Sequence, residues 1–126
     1  MKFVINRESL LTPLQQLVSV IEKRQTMPIL SNVLLVIQNE QLTMTGTDLE
    51  VQLIAKLDLP NATEGSITVP SRKFLDICRL LPVGSEIRFE QHEDKVKITS
   101  NRSRFSLNCL PAENYPEFSE GELDHQ

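Results

Sequence analysis

The chain has no tryptophan, one tyrosine, two cysteines, two histidines and four glycines among its 126 residues. Each shortage removes a class of function. Cys78 and Cys109 make neither a disulfide framework nor a metal cluster. Four glycines would barely supply one phosphate-cradling loop, and no such loop is present. His92 falls in a His-Glu-Asp turn and His125 in the last residues, where burial and tuning of a general base are hard to arrange. No Ser, His and Asp set stands at recognisable spacing. Asp48 and Glu50 could mimic a paired-carboxylate site; the simpler reading is a turn-capping Asp and a solvated Glu. Cys78 likewise reads as a small core residue before a nucleophile. The longest apolar run, Val33 to Ile37, is five residues, far short of a membrane span. Met1 to Arg7 hold no apolar stretch of signal-peptide length, so a cytoplasmic domain is expected. Catalytic residues, metal and cofactor are all expected to be absent.

What is there is an ordinary globular composition, 40% hydrophobic and 24% charged, at the length of one domain. The formal net charge of −4 is unevenly placed. Residues 110–126 carry five carboxylates and no Lys or Arg, leaving 13 basic against 12 acidic side chains in residues 1–109. An acidic average therefore leaves room for a locally basic face.

The chain reads as two similar halves and a tail. An alternating segment, Lys2 to Ile5, precedes Asn6, a good helix cap. Leu10, Leu11, Leu14, Leu17, Val18 and Ile21 then recur at helical spacing. Pro13 either kinks a helix starting near Arg7 or occupies the first position of one capped by Thr12. Three strands follow: Asn32 to Gln38, Gln41 to Gly46, and Leu49 to Leu59, whose odd-numbered residues form the apolar face. The second half repeats the order, with a strand at Ser66 to Val69 and a helix from Ser71 through Leu81. Strands at Glu86 to Glu90, Lys95 to Thr99 and Arg104 to Cys109 complete it. A strand-helix-strand-strand-strand unit used twice predicts an α+β fold, with two helices packed on eight largely antiparallel strands and pseudo-twofold symmetry. Residues 112–126 look like a polar, acidic linker.

Two features point to binding rather than chemistry. Arg7 lies on the first helix, Lys23 and Arg24 just after it, and Arg72, Lys73 and Arg79 on the second. Arg72 and Arg79 are two turns apart and share a face. Side-by-side helices would present a cationic band suited to phosphates; ordinary solvated helix faces are the alternative. In the last strand Arg102 and Arg104 point one way, Phe105 and Leu107 the other. That strand reads either as a terminal edge offering apolar anchors to another chain or as a plain core strand.

Four stretches carry a specific resemblance: KRQTMPILSN from Lys23, LTMTGTDLE from Leu42, VPSRKFLDICR from Val69, and SNRSRFSL from Ser100. In order and spacing they closely resemble the amino-terminal domain of the bacterial DNA polymerase III β-subunit family, the sliding clamps, from Met1 to about Phe118. The resemblance implies a clamp domain over residues 1–118 and an acidic linker at 119–126 leading to a second domain. Family members carry three such domains and dimerise head to tail into a ring around duplex DNA. They confer processivity on the replicative polymerase without an active site of their own. The implied partners are double-stranded DNA contacted without regard to sequence, a second clamp subunit, the clamp loader and DNA polymerases. Arg24 matches the family position that touches DNA, with Arg7, Lys23, Arg72 and Arg79 as further candidates. Phe105 and Leu107 match the dimer edge, Ile77 the same apolar cluster, and Lys73, Lys95, Arg102 and Arg104 its ion-pairing positions. Phe105 and Leu107 are accordingly expected to lie exposed in a lone domain. The family's peptide-binding pocket and the domain that receives the dimer edge are expected to be missing, as for a first-domain fragment. A stand-alone module offering its edge strand to another protein is the alternative.

Overall fold

The computed structural model describes residues 1–21 and 28–116. Strand β1 (Lys2–Asn6) leads directly into helix α1 (Arg7–Ile21), and Asn6 starts the helix by accepting the Glu8 N–H through its side-chain oxygen at 2.9 Å. Pro13 lies inside α1, so the helix begins at Arg7. The buried stripe Leu10, Leu14, Leu17, Val18 and Ile21 holds it to the sheets despite the missing donor. After a short 3₁₀ turn at Pro28–Ser31 come β2 (Asn32–Gln38), β3 (Gln41–Thr47) and β4 (Gln52–Asp58). The second half supplies β5 (Gly65–Pro70), α2 (Ser71–Leu80), β6 (Glu86–His92), β7 (Lys95–Ser100) and β8 (Ser103–Asn108). A two-residue strand β9 (Leu110–Pro111) and a 3₁₀ turn at Ala112–Asn114 follow.

The two halves exchange their first strands. A four-stranded sheet runs β1-β6-β7-β8 and a five-stranded sheet β4-β3-β2-β5-β9, with every pairing antiparallel. Thus β1 opens the first half yet pairs with β6 of the second, and β5 opens the second yet pairs with β2 of the first. The helices pack against each other and against the inner faces of both sheets. Phe3 of β1 stacks on Phe89 of β6 with centroids 4.6 Å apart, and Phe74 of α2 meets the same ring at 5.8 Å. On the other side α1 lies so close to β3 that a Cβ on Gly46 would stand 2.8 Å from Ile21 Cδ1.

Two readings of the pattern change. The apolar face expected from Leu49 through Leu57 starts later, because Asp48 Oδ1 accepts the N–H groups of Glu50 and Val51 and makes a turn there. Leu49 takes a left-handed φ of 78°, and both it and Val51 are exposed. Residues 112–116 are folded rather than linker-like. Tyr115 is buried against Ile29, Leu30 and Leu34 on the outer face of the five-stranded sheet, and its hydroxyl donates to the Thr45 carbonyl at 3.3 Å. Burial pushes the Tyr115 phenol up to about 12. The acidic stretch at 119–126 lies outside the described residues.

Candidate nucleic-acid interface and pairing edge

The exposed side of the helical layer divides between an uncharged face on α1 and a charged one on α2. Facing out from α1 are Ser9, Thr12, Gln15, Gln16 and Ser19, all uncharged. Arg7, one of the candidates for the cationic band, has a side chain only 11% exposed. Arg7 Nε donates to the Cys78 carbonyl in the last turn of α2 at 2.8 Å, where unsatisfied carbonyls give the helix end negative character. Its Nη1 pairs with Glu8 at 2.5 Å, and that hydrogen bond holds the Glu8 carboxyl below its ordinary value. The Arg7 N–H donates to Ser85 O at 2.8 Å and Glu8 Oε1 accepts the Gly84 N–H at 3.0 Å. Arg7 and Glu8 therefore stitch the start of α1 to the loop after α2.

Helix α2 carries the exposed charge. Arg72, Lys73 and Arg79 all face solvent, opposite the buried Phe74, Leu75, Ile77 and Cys78. Between the helices lies a cleft of about 200 Å³, with Gln15, Val18 and Ser19 on one wall and Arg72, Leu75 and Arg79 on the other. Arg72 and Arg79 thus converge as their spacing predicts. Lys23 and Arg24 lie outside the described residues. The Cys78 thiol, fully buried, is pushed up to about 12 by desolvation, which leaves it inert rather than nucleophilic. Among the described residues no group of three or more His, Cys, Asp or Glu side chains is placed to hold a metal ion.

Among the described residues strand β8 ends its sheet, pairing with β7 alone. Its outer edge therefore offers backbone groups to a further strand. The side chains are divided differently from expectation. Leu107, paired with Val96 across the ladder, is 6% exposed, and Ile77 is 7% exposed in the same core. Both point inward where helix and sheet shield them, so the expectation that Leu107 is exposed in a lone domain is corrected. Phe105, nearer the rim, is half-buried. It lines an apolar slot of about 360 Å³ with Val96, Lys95, Lys97 and Arg104. Lys73 and Arg102 are exposed but lie outside this slot. Lys97 was missed by the sequence reading; its outward parity on β7, next to Lys95, was the available signal.

The family model for the DNA polymerase III beta subunit, N-terminal domain, matches residues 1–119. The chain belongs to that family. A beta sliding clamp of Pseudomonas putida is 51% identical over 122 residues, covering 96% of this chain and 33% of that protein. One from Vibrio harveyi is 54% identical over 117 residues, covering 92% of this chain and 81% of that sequence. A crystal structure of the Pseudomonas aeruginosa sliding clamp bound to griselimycin superposes with a TM-score of 0.91 at 50% identity, covering 96% of this chain and 33% of that one. This clamp domain thus spans about a third of the length of most of its clamp relatives. The α+β architecture, with two helices and two antiparallel sheets, is that of the sliding clamps.

Proposed function

We propose that the chain serves as the first domain of a replicative sliding clamp that encircles duplex DNA and tethers its polymerase without catalysing a reaction. The observation that carries this reading is the family match over residues 1–119 on a fold whose helices lie side by side and whose β8 edge is unpaired. In this role α2 faces the duplex through Arg72 and Arg79, joined by Lys23 and Arg24, which follow α1 in sequence. Phosphate contacts of this kind hold DNA without reading its bases, which suits a ring that must slide. Arg7 is assigned to the frame instead, because its guanidinium is engaged. The β8 edge joins a second subunit by continuing the sheet, with the half-buried Phe105 as the anchor at the rim, Leu107 and Ile77 supporting it from below, and Lys73, Lys95, Arg102 and Arg104 meeting carboxylates. A closed ring raises the local concentration of its polymerase at the primer end, a tethering effect rather than chemistry. The clamp loader and DNA polymerases are its further partners, and the cytoplasm its compartment.

The test is duplex binding followed by fluorescence anisotropy while salt is raised from about 50 to 200 mM. Arg72→Gln with Arg79→Gln removes two phosphate contacts. The slope of log K against log salt is expected to fall by about 1.8. An unchanged slope, or binding indifferent to salt, would refute the assignment of α2 to the duplex.

A further inference from the structure

We infer that β4, the end strand of the five-stranded sheet, is a receiving edge for the β8 edge of a second copy of this chain, so that one domain carries both halves of a head-to-tail junction. The two sheets have four edges. Strand β9 is only two residues long, and β1 is crossed by Thr63, whose N–H donates to the Lys2 carbonyl at 2.9 Å. Among the described residues that leaves β4, seven residues paired with β3 alone, and β8, six residues paired with β7 alone. The β8 half of the junction rests on the pairing role proposed above; the β4 half has its own support. Edge strands of monomeric domains are blunted by proline, charge or a covering element. Strand β4 has no proline, and Lys56 is its one cation. Its register sets Leu53, Ala55 and Leu57 on the helix side, opposite Gly46, Met44 and Leu42 of β3. All three pack against the core yet stay half-buried, whereas Val33, Leu35 and Ile37 of β2 are buried. Ile54 on the other face is half-buried too. An apolar row left open along a bare strand edge is completed by one more strand of the same sheet.

Charge selects which strand that is. Residues 95–108, from β7 through β8, hold Lys95, Lys97, Arg102 and Arg104 and no carboxylate, a net +4. Around β4 the sign reverses. Asp48 and Glu50 precede it, Asp58 ends it, and Glu40 stands beside that end, its carbonyl accepting the Leu59 N–H at 2.8 Å. Against these four carboxylates there is Lys56 alone, a net −3. Pairing β8 with β8 would set four cations against four, and β4 with β4 would set carboxylates against carboxylates. Only β8 on β4 brings opposite signs together, with Phe105 and its slot as the apolar side of the match. A contact between two different patches is heterologous: it leaves a bare β4 at one end and a bare β8 at the other. Strands of this length span about 20 Å, the scale of a small, transient interface.

Sedimentation velocity on the whole chain, from about 10 μM to about 1 mM protein in low salt, tests the junction. The average mass is expected to rise with concentration, and to rise less at about 300 mM salt, where exposed opposite charges are screened. Ile54→Lys blunts β4, and Lys97→Glu with Arg104→Glu reverses the sign along β8. Each variant by itself is expected to keep the mass of a single chain. Mixed in equal amounts, the two are expected to restore a two-chain species, because each supplies the edge that the other lacks. A wild-type chain that stays single at the highest concentration overturns the proposal, and so does a mixture that stays single. Wild-type association by Ile54→Lys, with the β8 variant single, overturns it too and leaves β8 as a pairing edge for something other than β4. Association untouched by the β8 variant refutes the β8 reading itself, and the junction with it. Should either variant unfold by circular dichroism, amide shifts of the unaltered chain on concentration decide the matter: movement on both β4 and β8 supports the junction, movement on β8 alone overturns it.

Discussion

Replacing Arg7 with methionine separates a framing role from a DNA contact. Methionine keeps most of the stem volume and removes the guanidinium. The Cys78 carbonyl would then retain only the Leu81 N–H, at a long 3.4 Å, in place of the 2.8 Å charged donor. A hydrogen bond from a charged group contributes about 1.5–3 kcal/mol, and the 11% exposure of the Arg7 side chain leaves little solvent to compensate. A loss of about 2 kcal/mol is expected, or a fall in melting temperature of about 6–10 °C for a domain of this size. Thermal unfolding followed by circular dichroism at neutral pH reads it directly. Glu8 adds a pH signature. Its carboxyl is held low chiefly by Arg7, so its folded value lies below the unfolded one and its contribution is present above the ordinary 4.5 and fades as pH falls through the lowered value. Wild type should therefore lose part of its advantage over Arg7→Met below about pH 4.5. The salt dependence of duplex binding should not change. A stable Arg7→Met protein with a shallower salt slope would refute the assignment and return Arg7 to the DNA face.

Leu107→Ala should cost about 3 kcal/mol, as expected for a buried leucine, while Phe105→Ala at the half-buried rim should cost less; equal melting temperatures would show that Leu107 is not core. Tyr115 is the one tyrosine and there is no tryptophan, so absorbance at alkaline pH reports it alone. It should ionise near 12, and because its folded value is raised, the stability it adds is complete below the ordinary 10 and disappears as pH climbs to about 12. Ionisation at 10 in the folded protein would mean that Tyr115 is not packed on Ile29 and Leu30.

Much of the architecture was legible from residue order. A nearly continuous apolar run gave the bounds of β2 to the residue, and alternation placed the start of β3 at Gln41. Asn6 and the stripe from Leu10 to Ile21 placed α1, and packing of that stripe explains why Pro13 falls inside the helix. What escaped notice depends on contacts between distant residues. Nothing near Arg7 in sequence announces a carbonyl 71 residues away. Leu49 has a left-handed backbone with no glycine to signal it, so the alternating pattern ran on through a turn. Tyr115 sits in a polar stretch, and only the outer face of a sheet built much earlier in the chain makes it core. The β8 edge was legible as an edge, but alternation alone could not grade Phe105 against Leu107, because burial there depends on α2 lying beneath.

The exchange of first strands bears on how the polypeptide acquires its shape. Lys2 to Asn6 leave the ribosome well before their partners, Glu86 to Glu90, which are made some eighty residues later. At about 5–20 residues per second, that leaves the leading segment waiting on the order of 10 s for its mate. Neither half can close its own sheet ahead of the other, so no half-length product should persist as a folded body. The domain is a single cooperative knot of mutual debts, assembled together or not at all.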